Sequence, residues 1–101
     1  MSLRSVNQLE LVAQASQVEP LRHTPAGTPI AHLRLEHQGE ASEAGLSRQV
    51  GFGIRAVAVG PLAQQLAAIE PGTLLQVCGF LAPQRQGSDQ LVLHVQQFKT
   101  L

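Results

Sequence analysis

The side chains of this 101-residue chain that could do covalent or metal chemistry are few: His23, His32, His37, His94, Cys78 and scattered carboxylates. His32 and His37 are an odd number of residues apart, so a strand carrying both sends them to opposite faces and denies them a shared metal. His94 and Cys78 each fall out of phase with the apolar residues around them and could approach one another. A Cys–His dyad needs a third group to orient it, and none is in view. A buried thiol and a surface imidazole are the simpler account. Glu40 and Glu43 stand in the polar stretch 38–47 and read as solvated loop carboxylates. No glycine-rich phosphate loop is present, because the lysine and helix start it requires are missing. Neither catalysis nor a cofactor nor a metal is expected.

Non-covalent chemistry is better supplied. Arg34, Arg48, Arg55 and Arg85 could neutralise phosphates, and Arg22 could join them from an earlier loop. A groove that holds single-stranded nucleic acid combines such cations with aromatic faces on which bases stack. The aromatic supply is thin: Phe52, Phe80 and Phe98, with no Trp or Tyr. Phe80 lies out of phase with Leu75, Val77 and Leu81, so it faces a partner, whereas Phe52 and Phe98 read as core. Gln49 could bond a base or phosphate or simply point outward, and Gly51 beside it leaves bare backbone. Each arginine serves as readily as a solvated surface charge. Seven Lys+Arg balance seven Asp+Glu, so no net charge draws a polyanion toward the chain.

The elements that must position these groups are mostly strands. Leu9, Leu11, Ala13 and Ala15 alternate in a first strand that begins at Val6. Glu19 to Pro29 holds three prolines and Gly27, too stiff a run for a ladder, and reads as an ordered loop. Ile30 to His37 is a second strand, with Leu33 and Leu35 inward and His32, Arg34 and Glu36 outward. Gln38 to Ser47 reads as a loop or flexible hairpin tip. Arg48 to Val59 is a long third strand, with Val50, Phe52 and Ile54 on one face and Gln49, Gly51, Gly53 and Arg55 on the other. The two glycines weaken it unless something lies against them.

Gly60-Pro61 ends that strand and starts a short helix, with Leu62, Leu66 and Ile69 at helical spacing before Pro71-Gly72 stops it. Leu75, Val77, Gly79 and Leu81 then alternate in a fourth strand. A polar turn from Pro83 to Gln90 returns the chain to Leu91, Leu93 and Val95 in a fifth. Gly79 inside a strand marks a bulge, a bend or a close backbone approach. Five strands with a helix between the third and fourth make an all-β fold, the OB-fold, a partly open Greek-key barrel. Hydrophobic residues at 44% support one core in one domain, residues 1–101. No apolar run approaches the roughly 20 residues that span a bilayer. Residues 1–5 read as a frayed end without an export signal, and the lone Cys78 suits a reducing cytoplasm.

Several segments together resemble the primosomal replication protein N (PriB) family. They are Asn7-Gln8-Leu9 with Leu11, Pro20-Leu21-Arg22, Pro25-Ala26-Gly27 with Pro29, Leu35-Glu36-His37, Glu43-Ala44-Gly45, Arg48-Gln49, Gly79-Phe80 and Val92-Leu93-His94. Each is weak alone, and their order and spacing across nearly the whole chain make the set specific. The resemblance implies a non-catalytic OB-fold homodimer of the replication-restart primosome. It would bind single-stranded DNA and contact the restart helicase PriA and the helicase-loader partner DnaT. Family members that bind DNA well carry an aromatic residue just after the Arg-Gln pair and several lysines in the last hairpin loop. Here Val50 and Gly51 follow that pair, with Phe52 one step on and facing inward, and the loop Pro83 to Gln90 offers only Arg85. These departures leave a second reading: an OB-fold protein-interaction module with weak or no DNA binding.

Overall fold

The computed structural model describes residues 5–101; apart from Ser5, the frayed end expected over residues 1–5 lies outside the described residues. The chain runs β1 (Leu9–Val18), β2 (Arg22–His23), β3 (Pro29–Glu43), β4 (Leu46–Val59), α1 (Pro61–Ala67), β5 (Leu74–Pro83) and β6 (Leu91–Thr100). Strands pair in the order β1-β5-β6-β4-β3, and a further β1–β3 pairing closes the barrel. The order and the helix position are those of the OB-fold. The expected loop 19–29 carries one short exception, the two-residue β2, which pairs Arg22 with Ile30 and His23 with Pro29. Two residues fit a ladder between the prolines where a longer strand would not.

Alternation explains the interior. Leu11, Ala13 and Ala15 of β1 pack against Ala31, Leu33 and Leu35 of β3 and against Leu75 and Val77 of β5. β1 begins at Leu9 rather than Val6. Asn7 ahead of it imitates a strand residue with its side chain, accepting from Leu81 N–H at 3.0 Å and donating to Leu81 C=O at 2.7 Å. Gly60, at φ 85°, makes the turn that a side chain would resist, and Pro61 opens α1 with its φ already set. Ala63 and Leu66 are fully buried by the helix, while Leu62 and Ile69 pack at its margin.

Two corrections concern β3 and β4. The stretch Gln38 to Ser47, expected as a loop or flexible hairpin tip, is a hairpin, but its tip is Ala44-Gly45 alone: β3 and β4 pair without interruption from Ile30↔Val59 to Glu43↔Leu46. Ala44 and Gly45 turn the ribbon at φ 53° and 76°, both left-handed, as a two-residue hairpin with primed geometry requires. The polar sequence hid this strand because neither face of it is buried. β1 pairs with β3 only between Val18↔Leu33 and Gln14↔Glu36, so beyond Glu36 the ribbon runs past the barrel.

Phe52 is therefore not core. It keeps the inward parity expected of it, but the barrel no longer lies beneath, and it is 42% exposed. It tilts against His37 instead, with ring centroids 5.2 Å apart, and His37 Nδ1 lies 2.6 Å from the carbonyl oxygen of Val12. Phe98 does pack against the core. Leu91, expected inward, is half exposed because it pairs with Pro83 at the open end of the barrel.

Gly79 behaves as a strand glycine should. The β5–β6 register shifts between Cys78 and Gly79, and a Cβ at Gly79 would overlap the carbonyl oxygen of His94. Gly53 is covered too, by its own sheet. The Arg34 guanidinium lies across it, where any side chain at Gly53 would collide.

Candidate nucleic-acid interface

Register assembles one outward face from four strands. Phe80 on β5 is opposite His94 on β6, His94 is beside Val57 on β4, and Val57 is opposite His32 on β3. Phe80 and His94 are stacked nearly flat, with centroids 4.9 Å apart and 7° between the planes. Two residues along the same face, Arg55 of β4 sits directly opposite Arg34 of β3. The row of rings and the pair of guanidinia thus lie side by side.

A groove of about 230 Å³ runs beside this row. It is lined by Ile30, His32, Arg55, Val57, Val92 and His94, with Pro83 and Gln84 at the start of the β5–β6 loop. Val57 and Val92 are buried in its floor although both point away from the barrel interior. Their burial breaks the strict alternation of β4 and β6. The β5–β6 loop is closed by Gln84 N–H donating to Gln90 C=O at 2.8 Å, and Ser88 N–H donates to Arg85 C=O at 3.0 Å.

The expected site residues do not all converge. Arg34, Arg55 and Phe80 share the outward face, and Arg85 stands on the loop just beyond Gln84. Gln49 and Gly51 have the same parity as Arg55 but lie out on the β3–β4 arm, opposite Glu40 and Gln38. Arg48, opposite Ala41, falls on the other face of that arm. The sequence reading missed His32 and His94 as members of the face. Their signal was parity with Arg34 and Phe80, visible only once the register joins β5 to β6 and β6 to β4. Phe52 was missed as an exposed ring for the reason given above. His94 and Cys78 do not meet: Cys78 is opposite Gln97, and His94 is taken up by Phe80.

The electrostatics of the face are self-contained. Arg34 Nε bonds Glu36 Oε1 at 2.8 Å, and Arg55 lies 3.5 Å from Glu19 Oε2. The other oxygen of Glu19 holds Arg22 at 3.2 Å, and on the arm Arg48 is 3.2 Å from Glu43. These side chains are between 37% and 71% exposed, so each pair is worth about 1 kcal/mol at most. Among the described residues Arg85 has no such partner. No group of three or more His, Cys, Asp or Glu able to hold a metal occurs among the described residues. No helix among them is long and apolar enough to cross a membrane.

Comparisons with known proteins agree with this fold. Residues 7–97 match the model of a family described as "another single-strand binding protein family". Replication restart protein PriB of Bordetella pertussis is 47% identical over 96 residues, which are 95% of this chain and 90% of that protein. The solved structure of PriB from Ralstonia solanacearum superposes with a TM-score of 0.87 at 41% identity, covering 95% of this chain and 98% of that one. The single-stranded DNA binding protein of Thermus aquaticus shares the fold, with a TM-score of 0.76 at 24% identity over 95% of this chain and 50% of its own. The chain belongs to the single-strand binding protein family and, within it, to the family of the replication restart protein PriB.

Proposed function

We propose that this chain binds single-stranded DNA, without catalysis, as an accessory of replication restart in the cytoplasm. The observation that carries the reading is the face itself: stacked Phe80 and His94 in line with His32, flanked by Arg34 opposite Arg55. Bases would lie on the rings and along the groove, and phosphates would pass over the arginines. Arg85 would reach the strand from the β5–β6 loop, and Gln49 and Gly51 would meet it further along the arm. The relatives' name, replication restart protein, supports the setting. There the restart helicase PriA and the helicase-loader partner DnaT are the expected protein contacts. The working unit is one OB-fold domain over residues 1–101, acting as a homodimer.

The test is binding of a fluorescently labelled oligo-dT across a salt series. Two to four arginines on phosphates give a slope of log affinity against log salt between about −1.4 and −3. Binding that ignores salt, or none at low salt, would remove the strand from this face. The second reading, a protein-interaction module with weak or no DNA binding, is favoured by one observation: Arg22, Arg34, Arg48 and Arg55 are all occupied by glutamates.

The empty position on the arm gives a sharper check. A Cβ at Gly51 would have only ordinary contacts, the nearest being the carbonyl oxygen of His37 at 3.7 Å. Gly51→Tyr therefore fits the strand and adds a ring on the Arg55 side. One further stacked base is worth about 1–3 kcal/mol, so affinity for oligo-dT should rise at least about fivefold. An unchanged affinity would show that the strand does not run along the arm.

A further inference from the structure

The arginines of the face are not simply exposed cations, and the placing of their partners suggests a purpose. Arg34 and Arg55 stand directly opposite one another, an arrangement of like charges that weakens a sheet. Each is relieved by a carboxylate from a different place. Glu36 comes from two residues along β3, and Glu19 comes from the loop after β1, where it also gathers Arg22. Glu36 is itself braced by Ser16, whose hydroxyl lies 3.5 Å from Glu36 Oε1 and 3.3 Å from the carbonyl oxygen of Arg34. The Arg34–Glu36 pair rests on Gly53, the one residue type that leaves room for it.

We propose that Glu19 and Glu36 are built-in competitors of DNA phosphate, occupying Arg55 and Arg34 until a strand displaces them, and so set the affinity of the face. The proposal rests on the single-stranded DNA reading above and names the residues that tune it. A carboxylate and a phosphate offer a guanidinium the same paired oxygens, so one can replace the other on the same nitrogens. The exposed pairs are weak enough for a strand to break, yet each broken pair is subtracted from binding. Glu19 adds a consequence for the loop. When it lets go of Arg55 it loses one of its two cations and keeps only Arg22.

The experiment compares Glu19→Gln, Glu36→Gln, the double variant and Glu40→Gln for binding of labelled oligo-dT, with melting temperature measured alongside. Glu40 lies on the arm and has the parity of Glu36, but among the described residues it pairs with no arginine. Each of the first two variants should tighten binding about threefold, and the double variant about tenfold, while melting temperature falls slightly or holds. Glu40→Gln should change affinity less than about twofold. A purely structural role would lower stability and leave affinity alone, and that result overturns the proposal. An equal gain from Glu40→Gln would also overturn it, since the effect would then be general repulsion of a polyanion. If the double variant binds and the native chain does not, the native face does not hold DNA, and the single-stranded DNA reading falls together with this one. If none of the proteins binds at low salt, the single-stranded DNA reading fails and takes this one with it.

Discussion

Replacing Gly79 with valine should destabilise the barrel by about 3 kcal/mol, and alanine should already be costly. The added Cβ meets the carbonyl oxygen of His94, which is backbone and cannot rotate aside. To admit it, β6 must move away from β5 at the point where their register already shifts between Cys78 and Gly79. The same displacement disturbs His94, whose ring is stacked on Phe80, so the proposed face should suffer with the core. For a chain of this size the loss corresponds to a fall in melting temperature of about 12 °C or more. Gly51→Ala is the matched control: a Cβ there finds space, and removing a glycine from a strand should be neutral or stabilising by about 0.5 kcal/mol. A Gly79→Ala protein that melts within a few degrees of the native chain would show that the two strands are not in that close contact.

Removing Arg34 and Arg55 together should cost on the order of 25-fold in affinity for single-stranded DNA at about 0.1 M salt and flatten the salt slope by about 1.4. The fold should survive. Both side chains are about half exposed, their ion pairs contribute little, and the double change also removes two like charges facing each other. Arg48→Ala should change affinity less than about twofold, because Arg48 lies on the far side of the arm. Unchanged binding in the double variant, measured on protein shown by circular dichroism to be folded, would take the strand off this face. A large loss from Arg48→Ala alone would move it to the other side of the arm.

How much of this was legible in the sequence depended on whether a residue's environment was set by its own strand or by its neighbours. Leu33, Leu35, Leu75 and Val77 were legible, because one buried face imposes a period of two. Gly79 was legible because a glycine among apolar residues in a strand demands a reason. The β3–β4 arm was not, since a ribbon with both faces in water need not alternate. Phe52 followed from the same blindness: its parity was right, but parity says nothing of where the barrel stops. The proposed face was half visible. Arg34, Arg55 and Phe80 could be picked out by phase, but His32 and His94 join them only through pairings between strands far apart in sequence. The carboxylates were invisible as partners, because nothing in the spacing of Glu19 and Arg55 announces that a loop folds back to bring them together.

The pairing of β1 with β5 governs the order in which this protein can assemble. Its partners, from Gln14↔Leu74 to Leu9↔Gly79, are 60 to 70 residues apart in sequence. β6 is held to β4 by only two residue pairs, Ala56↔Leu93 and Val57↔His94. A chain emerging from the ribosome can form the β3–β4 hairpin early, since its strands are joined by Ala44 and Gly45 alone. It cannot close the barrel until Leu93 and His94 have appeared. Until then the free edge of β4 and the apolar side of β1 wait uncovered, and non-local closure of this kind is slow compared with helical folding. The face that gathers Phe80, His94, Val57 and His32 is among the last features to exist, so no partial chain can display it before the barrel is shut.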